Sequence, residues 1–195
     1  MTGVVDPFSD LMTAMDPAMV VVTAAAAASA AASDGDELAG CLVGFHTQSS
    51  IDPPRFCVWL SKANHTYGVA LRSTHLGVHL LAADDRDLAV AFGARTDDDA
   101  TVDKFADHPH TPGPGGVPLL DACPRRFVLR RTVLVDEGGD HVCIAGEPVE
   151  VASGSGLPDD FTPLRLSQVD DLEPGHPVDD RRGSRPDGPK GGTGA

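Results

Sequence analysis

Two long β-type runs, residues 127–135 and 142–151, meet across Glu137-Gly138-Gly139-Asp140. A Gly-rich connection this short leaves room only for a tight turn, so the runs pair as an antiparallel hairpin. The rest of the chain suits the same kind of sheet. Residues 19–23, 38–47, 55–60 and 76–81 are apolar and β-branched and read as four further strands. Gly40 and Gly44 interrupt the second of these, and glycine inside a strand marks a bulge or a close backbone approach.

Helical signals are fewer. Asp6 and Pro7 open a short helix with Phe8, Leu11, Met12 and Met15 at helical spacing, and Asp16-Pro17 stops it. Residues 65–72 read as a helix with Asn64 or Thr66 near its cap, and residues 84–92 as another with acids in its first turn. The alanine run 24–32 fits either a helix or a strand running into a loop, and 33–36 is a turn. Residues 97–118, with five aspartates and four prolines, read as a loop carrying one helical turn at 103–105. Strands with a few inserted helices predict a mostly β fold, a small antiparallel β-barrel capped by helices. Residues 1–155 form the folded domain in this reading, 156–175 an extended C-terminal segment, and 176–195 a disordered tail too poor in apolar side chains to order itself.

A net charge of −14 excludes a nucleic-acid binder and docking to an anionic membrane, both of which need clustered Lys and Arg. The longest apolar stretch, 18–32, contains Thr23 and Ser29 and is too short for a bilayer. No basic segment followed by an apolar one suggests export, and Cys41, Cys57, Cys123 and Cys143 form no C-x-x-C pair, so a cytoplasmic protein with free thiols is expected. No metal site is expected. His75 and His79 share a strand face but sit about 13 Å apart at ~3.3 Å per residue. His108 and His110 lack a third ligand, and Asp97-Asp98-Asp99 lacks the spaced acids of a calcium loop. Gly113-Pro114-Gly115-Gly116 lacks the Lys-Ser/Thr of a P-loop, and no serine stands in a Gly-x-Ser-x-Gly context.

Taken alone, Thr47, Gln48, Ser49 and Ser50 are an ordinary polar loop before Asp52-Pro53-Pro54, Lys62 a solvated lysine, and Gly139-Asp140 hairpin chemistry. In order along the chain they say more. The stretch from Gly40 to Pro54 resembles the flavin reductase-like domain family, an FMN-binding split barrel. Leu60-Ser61-Lys62-Ala63-Asn64-His65-Thr66, Gly77-Val78-His79-Leu80-Leu81, Phe92-Gly93, Asp103-Lys104-Phe105, Pro118-Leu119-Leu120 and Gly139-Asp140-His141 follow in family order across roughly residues 8–155.

The resemblance implies a homodimer with FMN near the subunit interface, and hydride transfer from NADH or NADPH to flavin, with a monooxygenase as a possible recipient of reduced flavin. It places Thr47, Gln48, Ser49 and Ser50 in a first FMN loop and Lys62, Asn64 and Thr66 in a second. It counts His79, on the strand that follows, among the cofactor contacts, and puts Gly139, Asp140 and His141 near the nicotinamide or flavin edge, His141 being the one candidate for a part in catalysis. Hydroxyls, free N–H groups at a helix start and one lysine are what a flavin phosphate requires. Leu42, Gly44 and His79 replace polar residues common in the family, so a barrel that binds flavin without turnover, or serves as a dimeric interaction protein, is the alternative.

Overall fold

The computed structural model describes residues 7–27, 36–94, 104–152 and 160–172. The Asp6 cap, most of the turn at 33–36, the triple aspartate 97–99 and the tail 176–195 lie outside them.

Strand β1 (Val20–Ala26) is buried along its whole length. Val20, Val22, Ala24 and Ala26 face the barrel interior, while Val21 and the preceding Met19 face a second core on the outside. A strand covered on both faces reads as a continuous apolar run, which is why alternation is invisible in its sequence. β1 lies between β2 (Glu37–Val43) and β5 (His75–Leu80). Beyond β5 come β8 (Arg126–Val135), β9 (His141–Val151), β4 (Arg55–Ser61) and β3 (His46–Ser50). All seven strands run antiparallel to their neighbours, in the order β2-β1-β5-β8-β9-β4-β3. The sheet curls into the mostly β, barrel-like architecture expected.

Helix α2 (His65–Arg72) has the limits expected. The Asn64 side chain accepts the Thr66 N–H at 3.0 Å, capping the first turn, and Val69 and Ala70 close the barrel interior from one end. Helix α1 (Pro7–Ala14) buries none of its side chains. Helix α3 (Arg86–Gly93) begins two residues later than its sequence suggests. The Asp85 carboxylate is used elsewhere: it accepts from Ala82 N at 2.7 Å and pairs with Arg125 at 2.6 Å. Leu88, Ala89 and Phe92 of α3 pack with Met19, Val21 and Leu81 on the outer face of the sheet.

The segment read as a loop contains more order than its composition suggests. After α4 (Lys104–Asp107), β6 (His110–Pro112) and β7 (Pro118–Leu120) form a small hairpin. Gly115 and Gly116 turn it with φ of 71° and 76°, a conformation that glycine adopts without penalty. Two buried polar side chains stitch β7 to the barrel. Thr23 Oγ1 donates to Pro118 O at 2.8 Å. His79 Nε2 accepts the Leu120 N–H at 3.1 Å, so Nδ1 carries the ring proton and donates to Val21 O at 3.2 Å. No helix among the described residues is long and apolar enough to cross a membrane.

Desolvation drives the His79 pKa down to about 4, with the Arg126 charge acting in the same direction. The unfolded chain titrates near 6.5, so between these values it takes up a proton that the folded chain refuses. Stability is therefore full above pH 6.5 and falls as the pH drops toward about 4, by up to about 3 kcal/mol from this residue. Urea unfolding at pH 7 and pH 4.5 measures the loss. His79→Gln, which can donate and accept in the same places without titrating, should shrink it, and a loss of the same size in both proteins would exclude His79 as its source.

Candidate functional site

β2 and β3 are consecutive in the chain yet lie at opposite ends of the strand order. The connection between them, Gly44-Phe45, must therefore carry the chain from one edge of the sheet to the other. At Val43 the chain leaves the β1 ladder, where Val43 opposes Val20. Phe45 O then accepts the Trp59 N–H at 2.9 Å, and His46 takes its place opposite Val58 of β4. What reads as one strand over 38–47 is two strands joined by a corner. A Cβ on Gly44 would stand 3.3 Å from Met19 Sδ, so the corner turns against the start of β1. His46 Nε2–H donates to Ala18 O at 2.8 Å and the ring stacks on Phe56, which ties the far side of the corner. Burial holds the His46 pKa below its ordinary value.

A cleft of about 420 Å³ opens at this seam. Its middle is Leu42, Val43, Gly44 and Phe45 with Trp59 and Leu60 of β4. Toward α3 it is apolar, walled by Met19, Phe92, Leu166, Val169 and Leu172. Toward the β8–β9 turn it is polar, with Ser61, Asn64, Asp140 and His141. An apolar trough with a few convergent polar groups, of this size, is the usual form of a small-molecule site.

The polar end is braced from below. Lys62 N donates to Asp140 O at 2.9 Å, which joins the β4–α2 turn to the β8–β9 turn. Lys62 Nζ pairs with Asp136 at 2.8 Å, and Asp136 also accepts the Gly138 N–H at 2.8 Å. These two bonds hold the Asp136 carboxyl below its usual range. His141 donates Nδ1–H to Asp140 Oδ1 at 2.8 Å and meets the Phe45 ring edge-on at 5.1 Å between centroids. Its Nε2 is the nitrogen left for a ligand.

Of the residues singled out from the sequence, the cleft gathers Asn64, Asp140 and His141. Lys62 stands on the turn beside them, and Gly139 next to Asp140 has open space around it. Thr47, Gln48 and Ser49 are exposed on β3, a free edge of the sheet, with Ser50 half-buried, and they do not line the cleft. Gln48 bonds Ser50 O, and Ser49 Oγ accepts from Cys57 Sγ at 3.3 Å. Thr66 is fully buried, and its hydroxyl has no partner among the described residues. His79, also fully buried, has both ring nitrogens engaged by backbone and lies away from the cleft. Burial pushes the Cys143 thiol up to about 11, with Cys57 beside it adding to the shift, and the Cys123 thiol up to about 11 as well, so neither is a thiolate at neutral pH.

The cleft also holds Trp59, Phe45, Leu166 and Leu172, none of which the sequence analysis singles out. A lone tryptophan at the end of a strand, followed by a polar turn, was the available signal for the first. No local signal points to the others, whose place depends on where the chain returns.

The family model for the flavin reductase like domain matches residues 12–168. The FMN reductase (NADH) SmoA of Agrobacterium fabrum is 29% identical over 121 residues, 61% of this chain, and the match spans only 64% of that relative's length. An FMN-binding protein from Thermus thermophilus, solved with 1-cyclohex-2-enone bound, superposes with a TM-score of 0.61 at 26% identity, covering 76% of this chain and 77% of the other. An oxidoreductase candidate from Sinorhizobium meliloti 1021 superposes with a TM-score of 0.63 at 25% identity, covering 79% of this chain and 51% of that longer one. With a family model spanning the described barrel from α1 to the last turn, the chain belongs to the flavin reductase-like domain family.

Proposed function

We propose that this chain is an FMN reductase that passes hydride from NADH or NADPH to flavin bound in the seam cleft. The observation that carries the reading is the cleft itself, an apolar trough floored by the Gly44-Phe45 corner with polar groups at one end, in a chain of this family. The similarity to an FMN reductase that uses NADH supports the choice of reactants.

The residues fit the group. Trp59, Phe45 and Leu42 offer flat apolar surface for an isoalloxazine ring, and Ser61, Asn64 and the corner backbone offer hydrogen bonds to its polar edge. Lys62, on the turn at the polar end, is the cation for the phosphate in this reading; Thr47, Gln48, Ser49 and Ser50 pair with the far end of β4, about 16 Å or more along the strand from Lys62 at ~3.3 Å per residue, and would meet the ligand at a different point. Bound FMN would supply the two-electron acceptor chemistry. The chain's own task is to hold two rings in order and keep water out. No nucleophile is needed for hydride transfer between two stacked rings. His141, fixed by Asp140 and Phe45, presents Nε2 to the polar edge of whichever ring lies beside it.

The assembly proposed is a homodimer. Val133, Leu134 and Val135 are 48, 39 and 42% exposed, and successive side chains on a strand point to opposite faces. This end of the β8–β9 hairpin is therefore uncovered on both faces by the described residues, as are Val149 and Val151. A second copy would cover it. Four free cysteines and an acidic chain fit a cytoplasmic setting, and a monooxygenase is the recipient proposed for reduced flavin.

Purified chain mixed with FMN should consume NADH or NADPH well above the rate without protein. The single tryptophan lies in the cleft, so saturating FMN should quench most of the Trp59 emission in the same sample. No nucleotide consumption would sink the enzymatic reading, and flavin binding with undiminished tryptophan emission would place the site elsewhere.

Sedimentation tests the assembly. Wild type should run as a dimer at micromolar concentration, and Leu134→Glu should shift it toward monomer by placing a charge in the covered face. A wild-type monomer would refute the dimer.

A further inference from the structure

Residues 160–172 lie past the last barrel strand, yet they are pinned to the sheet as a strap. Met19 N donates to Leu164 O at 2.8 Å, Leu164 N to Leu81 O at 2.9 Å and Leu166 N to Pro17 O at 3.0 Å. Arg86 grips the Asp171 carboxylate at 2.6 and 2.7 Å. Asp16 adds a latch from the other end of the chain. Its carboxylate accepts both Ser167 N at 2.8 Å and the Ser167 hydroxyl at 2.9 Å, and its carbonyl accepts from Arg165 at 3.2 Å. Asp16 is also the one non-glycine with positive φ among the described residues, at 44°. A conformation of that kind persists only where the surroundings over-determine it, and the bonds to Ser167 and Arg165 do so.

The strap does more than cover the core. Leu164 is fully buried, whereas Leu166, Val169 and Leu172 reach the cleft. Leu172 lies over Gly93, close enough that a Cβ there would come 3.7 Å from its Cδ1 and 2.9 Å from Leu42 Cδ2. With no side chain at position 93, the strap leucine and Leu42 both close on the same space at the apolar end.

We propose that the strap is the ring-selecting wall of the cleft and that Asp16 is the positioning residue that sets it. The proposal rests on the reading of the cleft as a flavin and nicotinamide site. Three aliphatic side chains offer no hydrogen bond, so the wall accepts the flat apolar face of a nitrogen heterocycle and excludes water beside it. The ring presents a flat, largely apolar face whether it is the isoalloxazine of the flavin or the dihydronicotinamide of NADH. A wall built from a separate segment can shift while the barrel ladders stay intact, which makes ring binding sensitive to a residue that touches no ligand.

The test uses the full chain with Leu172→Trp, Asp16→Gly and Asp16→Asn. Glycine keeps the left-handed backbone and removes the carboxylate, while asparagine tolerates that backbone and keeps an acceptor for Ser167. The readouts are the FMN dissociation constant from flavin fluorescence, the KM and kcat for NADH, and the melting temperature. Leu172→Trp should weaken one of the two ligands by roughly tenfold and leave the other within about twofold. A change in the FMN constant assigns the wall to the isoalloxazine, and a change in the NADH KM assigns it to the nicotinamide. Asp16→Gly should move the same constant in the same direction with a smaller effect on kcat, and Asp16→Asn should return it to within about twofold. Unchanged constants for both ligands in Leu172→Trp overturn the wall. Equal losses of both constants and of melting temperature in both Asp16 variants reduce Asp16 to a structural role and overturn the positioning claim. A wild-type chain that binds neither ring overturns the reading of the cleft, and the wall falls with it.

Discussion

The corner at Gly44-Phe45 is the constraint on which the rest depends. A curled antiparallel sheet has two edges, and exposed edges invite pairing with other chains. Here the chain itself joins them, because β2 ends one edge and β3, the next strand, begins the other. The bond from Trp59 N to Phe45 O holds the crossing where it is, and the Met19 side chain packed under Gly44 leaves no room for a larger residue without adjustment. The seam left by this crossing is where strand backbone and side chains from both edges face open space, so a cleft at that place follows from how the barrel closes.

The same economy explains the buried histidine. β7 is three residues long and pairs only with β6, so its ladder cannot hold it against the barrel. Val117, Leu119 and Val128 supply apolar contact, and Thr23 and His79 supply direction. A buried polar side chain costs stability unless its hydrogen bonds are made, and here every nitrogen of the ring is used. The result binds β7 to β1 and β5 in one register, at the cost of a titratable group in the core.

What could be read in the sequence was what local chemistry decides. The limits of α2 follow from an asparagine cap at one end and Ser73 at the other, whose hydroxyl reaches Val69 O and Ala25 O. The β8–β9 hairpin follows from Gly138, whose φ of 86° few residues other than glycine adopt readily. What could not be read depends on contacts distant in sequence. Gly44 marks an irregularity within 38–47, but nothing local turns it into a change of sheet edge, since the change of partner from Val20 to Val58 is decided by closure of the barrel. The β6–β7 hairpin hides in a proline-rich stretch because its residues are held by side chains from β1 and β5. The candidate site was legible in the same uneven way. Asn64, Asp140 and His141 sit on turns that the sequence marks, and they converge, whereas Thr66 and His79 were assigned by motif position, and burial decides where they stand.

The cleft is assembled from segments that begin at Pro17 and end at Leu172, nearly the full described span of the chain. Met19 comes from just before β1, Phe92 from α3, Trp59 from β4, His141 from β9 and Leu166 from the strap. A ligand that touches all of these binds only when the barrel is closed and the strap is docked, so its binding energy adds to the stability of that one arrangement. The coupling runs in both directions. Any interaction that holds the seam shut, including the latch at Asp16 and the grip of Arg86 on Asp171, raises the fraction of molecules ready to bind. Affinity in such a site is set as much by bonds between distant segments of the chain as by the few side chains that meet the ligand.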